Sequence, residues 1–184
     1  MTFDPMGHVT PQSDLDILHR LCNEAVYVAE DCSFARAVEI GSWAGSSALV
    51  LCEHFDHVYC VDHWMGNPGD RLGQLAKIIG QSKAFETFCR NMGDRLYRTV
   101  IPCFGSSGQY ARIWPRKVSL VFIDASHEFH DVFKDISAWR EQVLPGGIIC
   151  GHDWGIFEGV NRAVELSFGS NFKHEGNMWW SVVA

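Results

Sequence analysis

Residues 38–64 limit what this 184-residue chain can fold into more than any other stretch. An apolar run ends in Glu39-Ile40-Gly41, and Gly45 and Ser46 then open a helical stretch over residues 47–54. A second apolar run, residues 58–61, ends in Asp62. Strand, glycine turn, helix, strand and acid make the layout of a site for a nucleoside-bearing cofactor. Gly41 permits the tight turn, and Gly45 lets helix and cofactor approach without an intervening Cβ. Asp62, about twenty residues beyond the turn, is placed to accept hydrogen bonds from ribose hydroxyls.

The turn also discriminates between cofactors. Dinucleotide sites require glycine at its middle position, where backbone amides meet a pyrophosphate. Trp43 occupies that position. A cofactor without phosphates, such as S-adenosylmethionine, does not need the space, whereas an NAD-linked oxidoreductase does.

The rest of the chain continues the alternation. Ser13 reads as the cap of a first helix, with Asp16 completing a capping box. Leu15, Leu18, Cys22, Ala25, Val26 and Ala29 fall on its apolar face. Residues 37–40 and 58–61 are strands, and the glycines and proline of residues 65–71 mark an irregular loop. A helix is expected over 74–92, then a strand over 99–104 ending in Gly105-Ser106-Ser107, then a short helix over 109–114 cut off by Pro115. Residues 118–123 are almost continuously apolar, as in a parallel sheet covered on both faces. A helix over 128–144 leads through a turn at Pro145-Gly146-Gly147 to a strand over 148–150. A helix over 159–168 precedes an antiparallel hairpin turning at Glu175-Gly176-Asn177. The pattern predicts an α/β fold: a doubly wound, Rossmann-like, mostly parallel sheet with an antiparallel C-terminal hairpin strand. One domain over 1–184 is expected, its N-terminal helical region, 1–36, packing on the sheet or covering the site.

A net charge of −7 with no Lys/Arg cluster argues against a nucleic-acid partner held through phosphates. No apolar stretch approaches the ~20 residues needed to cross a bilayer. Residues 1–12 lack the basic-then-apolar pattern of a secretory signal. The cysteines (Cys22, Cys32, Cys52, Cys60, Cys89, Cys103 and Cys150) are scattered, odd in number and without a Cys-x-x-Cys pair. Several lie in apolar patterns, so buried reduced thiols in a cytoplasmic protein are expected.

These stretches together resemble the class I S-adenosylmethionine-dependent methyltransferases. Among them the chain is most similar to the small O-methyltransferase-type family with the signature Asp-x-x-His, Pro-Gly-Gly and His-Asp-aromatic. The resemblance is carried by Glu39-Ile-Gly-Ser-Trp-Ala-Gly45, Asp62, Gly105-Ser-Ser107, Phe122-Ile-Asp124-Ala-Ser-His127 and Pro145-Gly-Gly-Ile-Ile-Cys-Gly-His152-Asp153-Trp154. It implies that Glu39, Gly41 and Gly45 surround the methionine part of the cofactor, with Ser42, Trp43 and Ser46 in the same turn. Asp62 would hold the ribose, with His63 and Trp64 beside it. Ser106 and Ser107 would reach the adenine, and Asp124 would border the cofactor. In metal-dependent relatives of the catechol type, the carboxylate after the fourth strand and two adjacent ligands after the fifth hold magnesium. Those positions here are Asp124, His152 and Asp153. His152 replaces an oxygen ligand, which suits a softer ion such as manganese, or a site without metal. His127 stands where the catechol enzymes usually carry a lysine.

The expected activity is methyl transfer to a small hydroxylated acceptor: a sugar, a phenol or a secondary-metabolite hydroxyl. The reaction needs the acceptor oxygen in line with the methyl group and its proton removed as the bond forms. His127, with an ordinary pKa of about 6.5, can take that proton beside Asp124. A divalent ion on Asp124 and Asp153 would instead lower the acceptor's own pKa. Plainer roles exist for the same residues. Asp124 can cap a helix, His127 can lie exposed at a helix start, and Trp64 and Trp154 can pack under loops. The competing function is a binding protein that holds S-adenosylmethionine without turnover, as a regulatory or partner subunit. The short 65–73 loop and single N-terminal helix leave little chain to cover an acceptor. That shortness, with the apolar C-terminal strand, makes a homodimer an expectation.

Overall fold

The apolar runs of the sequence become the strands of one seven-stranded sheet in the computed structural model, which describes residues 2–6, 10–29, 35–67 and 70–184. Cys32, Pro68, Gly69 and the side chain of Ala29 lie outside the described residues. The strands are β1 (Arg36–Ile40), β2 (His57–Asp62), β3 (Val100–Phe104), β4 (Val118–Ile123), β5 (Val143–Gly151), β6 (Lys173–Glu175) and β7 (Met178–Val182). They lie in the order β3-β2-β1-β4-β5-β7-β6, and β7 alone runs against its neighbours. The helices are α1 (Gln12–Val26), α2 (Ser46–Leu51), α3 (Arg71–Ile79), α4 (Gln81–Met92), α5 (Ser107–Ile113), α6 (Phe129–Arg140) and α7 (Glu158–Phe168).

Side chains alternate between two cores, as a doubly wound sheet requires. Ala37, Val58, Leu120 and Ile148 pack toward α1, α2 and α4. Val38, Val61, Val121 and Ile149 pack toward α5, α6 and α7. Every residue of β4, the central strand, is buried. The chain winds outward from β1 to β3 and then returns to the other side of β1 with β4. The carboxyl ends of β1 and β4 therefore flank the crevice where ligands bind in open α/β sheets.

The structure departs from the sequence pattern at three places. Pro11 precedes α1, and its carbonyl accepts the amides of Asp14 and Leu15, both at 3.1 Å, so Ser13 lies inside the first turn and caps nothing. The helix expected over 74–92 is two helices, because Gly80 (φ 85°, ψ 146°) leaves helical space while closing α3 through Ala76 O. Pro145-Gly146-Gly147 is not a turn before β5 but lies within it. The β4–β5 register jumps there from Val118↔Val143 to Leu120↔Ile148, absorbing the extra residues as a bulge. The expected antiparallel C-terminal hairpin forms, with β7 lying between β5 and β6.

The described cysteines are all free, and Cys22, Cys60, Cys103 and Cys150 are buried. Burial pushes the Cys103 thiol up to about 11. Among the described residues no helix is long and apolar enough to cross a membrane.

Candidate active site

The crevice begins where β1 and β4 end. The Asp124 amide bonds Ile40 O at 2.8 Å, and the Gly41 amide bonds Val61 O at 3.0 Å. The two strand ends approach so closely that a Cβ on Gly41 (φ +87°) would stand 2.2 Å from Asp124 O. Beyond them opens a cavity of about 1150 Å³ whose wall includes Gly41, Trp43, Asp62, His63, Ser107 and Asp124. Asp62 shapes this wall: Oδ2 accepts the amides of Ser42 at 2.9 Å and Trp43 at 2.8 Å, and Oδ1 that of Trp64 at 2.7 Å. A carboxylate has about four acceptor sites, so Asp62 keeps capacity for a ribose hydroxyl. Ser106 and Ser107 also line the cavity. The Ser107 hydroxyl accepts from the Trp139 indole at 2.8 Å.

Several residues assigned to the cofactor stand behind the turn instead of lining the cavity. Glu39 is wholly buried; Ser47 Oγ donates to its Oε1 at 2.5 Å, and its Oε2 makes no hydrogen bond. Burial pushes the Glu39 carboxyl up to about 7, against the opposing influence of Ser42, Ser47 and Cys60. A Cβ on Gly45 would meet Met92 Cε at 2.3 Å, so the space beside this glycine is filled by α4. Ser46 Oγ pairs with Thr10 Oγ1 at 3.1 Å. Trp64 is completely buried against Phe85, Phe88 and Phe104, and its indole donates to Trp43 O at 3.0 Å. Trp154, the aromatic of the His-Asp-aromatic signature, takes the plainer role and packs on Phe172 and His174. Asp135 is among the wall residues that went unseen in the sequence; burial lifts its carboxyl to about 6 against a hydrogen bond from Ser107.

At the β4 and β5 ends the predicted ionisable residues converge. Ile123 and Gly151 are paired in register, which brings Asp124 beside His152 and Asp153. One ligand atom from each of the three lies within 4.8 Å of the others. His152 Nδ1 is 3.2 Å from Asp153 Oδ1 and 3.9 Å from Asp124 Oδ1, yet it is buried and makes no hydrogen bond. Asp153 sits at φ 67°, a left-handed backbone that costs a non-glycine residue about 1–3 kcal/mol and that tends to be kept at functional sites. Its other oxygen, Oδ2, is 3.0 Å from His127 Nε2. The His127 ring stacks face to face on Phe157, centroids 3.9 Å apart.

The charges in this cluster depend on one another. The hydrogen bond to Asp153 raises the His127 pKa against the effect of burial. For His152 burial disfavours the imidazolium, but the surrounding Asp153, Asp124 and Asp14 carboxylates lift its pKa to about 9. Burial alone would raise Asp153; contacts with both histidines outweigh it and hold that carboxyl well below the usual carboxylate range. Asp14 is the unforeseen member. It is 2% exposed on the buried face of α1, and its Oδ2 is 2.9 Å from His152 Nε2. Its spacing with Ile17, Leu18, Leu21, Cys22 and Ala25 was the available signal: an acid at a core-facing helical position.

A buried imidazole nitrogen without a hydrogen bond, facing two carboxylates, is the donor set a divalent cation takes. The cluster fits such an ion, offering one nitrogen and two carboxylate ligands, with Asp124 in the cavity wall.

Comparison with known proteins agrees with this fold. The model of a family described as a methyltransferase domain matches residues 38–154. The chain belongs to that family, among the class I S-adenosylmethionine-dependent methyltransferases. A solved calicheamicin methyltransferase superposes with a TM-score of 0.70 at 14% identity, over 93% of this chain and 79% of that one. The O-methyltransferase NovP gives a TM-score of 0.70 at 15% identity, over 92% and 78%. An O-methyltransferase from Bacillus cereus in complex with SAH gives 0.61 at 15% identity, over 96% and 83%. At these identities the likeness shows the shared fold. No curated protein matches the chain in sequence.

Proposed function

We propose that this methyltransferase transfers the methyl group of S-adenosylmethionine to a hydroxyl of a small acceptor, with His127 as the base and a divalent metal, magnesium or manganese, assisting. The observation that carries the reading is the convergence of His127, Asp153 and His152 on Asp124, a residue of the cavity wall. An acceptor oxygen forms its bond to the methyl carbon as the carbon–sulfur bond breaks, and the electron pair goes to sulfur, leaving neutral S-adenosylhomocysteine. The acceptor proton passes to His127. With Nε2 donating to Asp153 at 3.0 Å, the imidazole keeps Nδ1 for that proton, and Asp153 stabilises the imidazolium formed. Asp124, His152 and Asp153 would hold the metal, which when bound lowers the pKa of an acceptor hydroxyl and orients it. Asp62, Ser106 and Ser107 hold the ribose and adenine.

Sugar, phenol and secondary-metabolite hydroxyls are the acceptor classes. A TDP-rhamnose 3'-O-methyltransferase shares the fold, so sugar nucleotides head the panel to be tried.

Thermal unfolding with S-adenosylhomocysteine, with and without magnesium or manganese, tests the reading. Ligand at ~100 times its dissociation constant adds about 2.7 kcal/mol, which raises Tm by about 5–10 °C for a chain of this size. A further rise with metal is expected from the three-ligand cluster. No shift with either overturns the proposal. Cofactor binding without turnover across the acceptor panel would favour the binding-protein function instead.

A further inference from the structure

The proposed metal-assisted site involves a buried network that reaches across the chain. His152 Nε2 meets Asp14 Oδ2 at 2.9 Å, with His152 5% exposed and Asp14 2%. Asp14 is itself surrounded by donors from the β6–β7 turn. Asn177 Nδ2 donates to Oδ2 at 3.1 Å, and the Asn177 amide reaches Oδ1 at 3.5 Å. Asn177 O in turn accepts the Trp154 amide at 3.0 Å, directly beside Asp153. The turn is shaped around the acid, because a Cβ on Gly176 would stand 2.8 Å from Asp14 Oδ1.

Donors on two sides make Asp14 an acceptor, so Nε2 of His152 is the nitrogen that donates to it. The ring is then pinned with Nδ1, the buried nitrogen without a hydrogen bond, directed toward Asp124 and Asp153. A carboxylate behind a ligating histidine sets its tautomer, orientation and basicity, and removing such a partner typically costs 10–100-fold in metal affinity. The donor set it enforces is one imidazole and two carboxylates. Magnesium demands near-ideal octahedral oxygen coordination and dehydrates reluctantly. First-row transition ions accept imidazole readily.

We propose that Asp14 is a positioning residue that holds His152 as a nitrogen ligand and so makes this centre select a first-row transition-metal ion over magnesium. The inference rests on the metal-assisted reading above.

The test is calorimetric titration of the full chain with manganese, cobalt and magnesium, with pulsed electron paramagnetic resonance on the manganese-loaded protein. Wild type is expected to bind manganese and cobalt at least ~10-fold tighter than magnesium, with nitrogen coupling in the resonance spectrum. Asp14→Asn is expected to lose 10–100-fold in manganese and cobalt affinity, to weaken the nitrogen coupling and to keep its stabilisation by S-adenosylhomocysteine. Asn177→Ala, which removes the side-chain donor to Asp14 Oδ2 but leaves both carboxylate and imidazole, should shift affinity in the same direction and serves if Asp14→Asn does not fold. Metal binding that is unchanged in these variants, or manganese bound without nitrogen coupling, overturns the role of Asp14 and leaves metal assistance standing. Absence of any divalent binding to wild type removes the metal reading, and this inference with it.

Discussion

Gly41→Ala is expected to lower Tm by about 5–15 °C and to abolish stabilisation by S-adenosylhomocysteine. Two costs add. A left-handed backbone costs an L-residue about 1–2 kcal/mol, and Gly41 sits at φ +87°. The new Cβ would also lie 2.2 Å from Asp124 O and 2.7 Å from Ala125 Cα, backbone atoms that cannot rotate away. Overpacking of this kind costs about 1–3 kcal/mol, and each kcal/mol is worth about 2–4 °C in a chain of this size. Relief can come only by separating the ends of β1 and β4, which displaces the Gly41–Trp43 turn and the Asp124 carboxylate together. Gly93→Ala is the control: its φ is +54° and nothing lies within 4 Å of the added Cβ, so it carries the backbone cost alone. If the two variants melted together, the close approach of β1 and β4 would not be what requires glycine at position 41.

The parts of this molecule readable from sequence are those written in short-range pattern. Alternating apolar runs and helical stretches define the doubly wound sheet because each strand and helix must bury its own face. Asp124, His152 and Asp153 were legible as a group because each follows an apolar strand, and the carboxyl ends of neighbouring strands lie side by side. What escaped depends on partners distant in the chain. Gly45 has the spacing of a cofactor glycine, but the atom nearest to a Cβ there belongs to Met92 on α4. Trp64 stands two residues after Asp62, yet the aromatic cluster that draws it out of the cavity comes from α4 and β3. Asp14 carries no local motif; its meaning comes from His152, 138 residues away. The break at Gly80 was missed because the residues around it keep helical spacing on both sides, and one backbone angle decides the matter.

Glu39→Gln separates support of the turn from contact with the cofactor. In the folded chain burial lifts the Glu39 carboxyl from its ordinary 4.5 to about 7. Below pH 4.5 both folded and unfolded states are protonated at this group, and it costs nothing. As pH rises the unfolded state ionises first, so the folded state binds the extra proton and loses stability until its own pKa is passed. A shift of this size corresponds to roughly 3 kcal/mol, fully expressed above about pH 7. Glutamine does not titrate and can still accept from Ser47, although its other amide group remains without a partner, as Oε2 does now. The stability of the variant relative to wild type is therefore expected to rise by roughly 3 kcal/mol between pH 4.5 and pH 8. Parallel denaturant titrations across that range measure it. A flat difference would mean that Glu39 is not held neutral by its surroundings. Because Glu39 lies behind the turn and not in the cavity wall, the variant is also expected to keep its stabilisation by S-adenosylhomocysteine. Loss of that stabilisation in a folded variant would place the carboxylate in contact with the methionine part of the cofactor, and the turn would have to open to admit it.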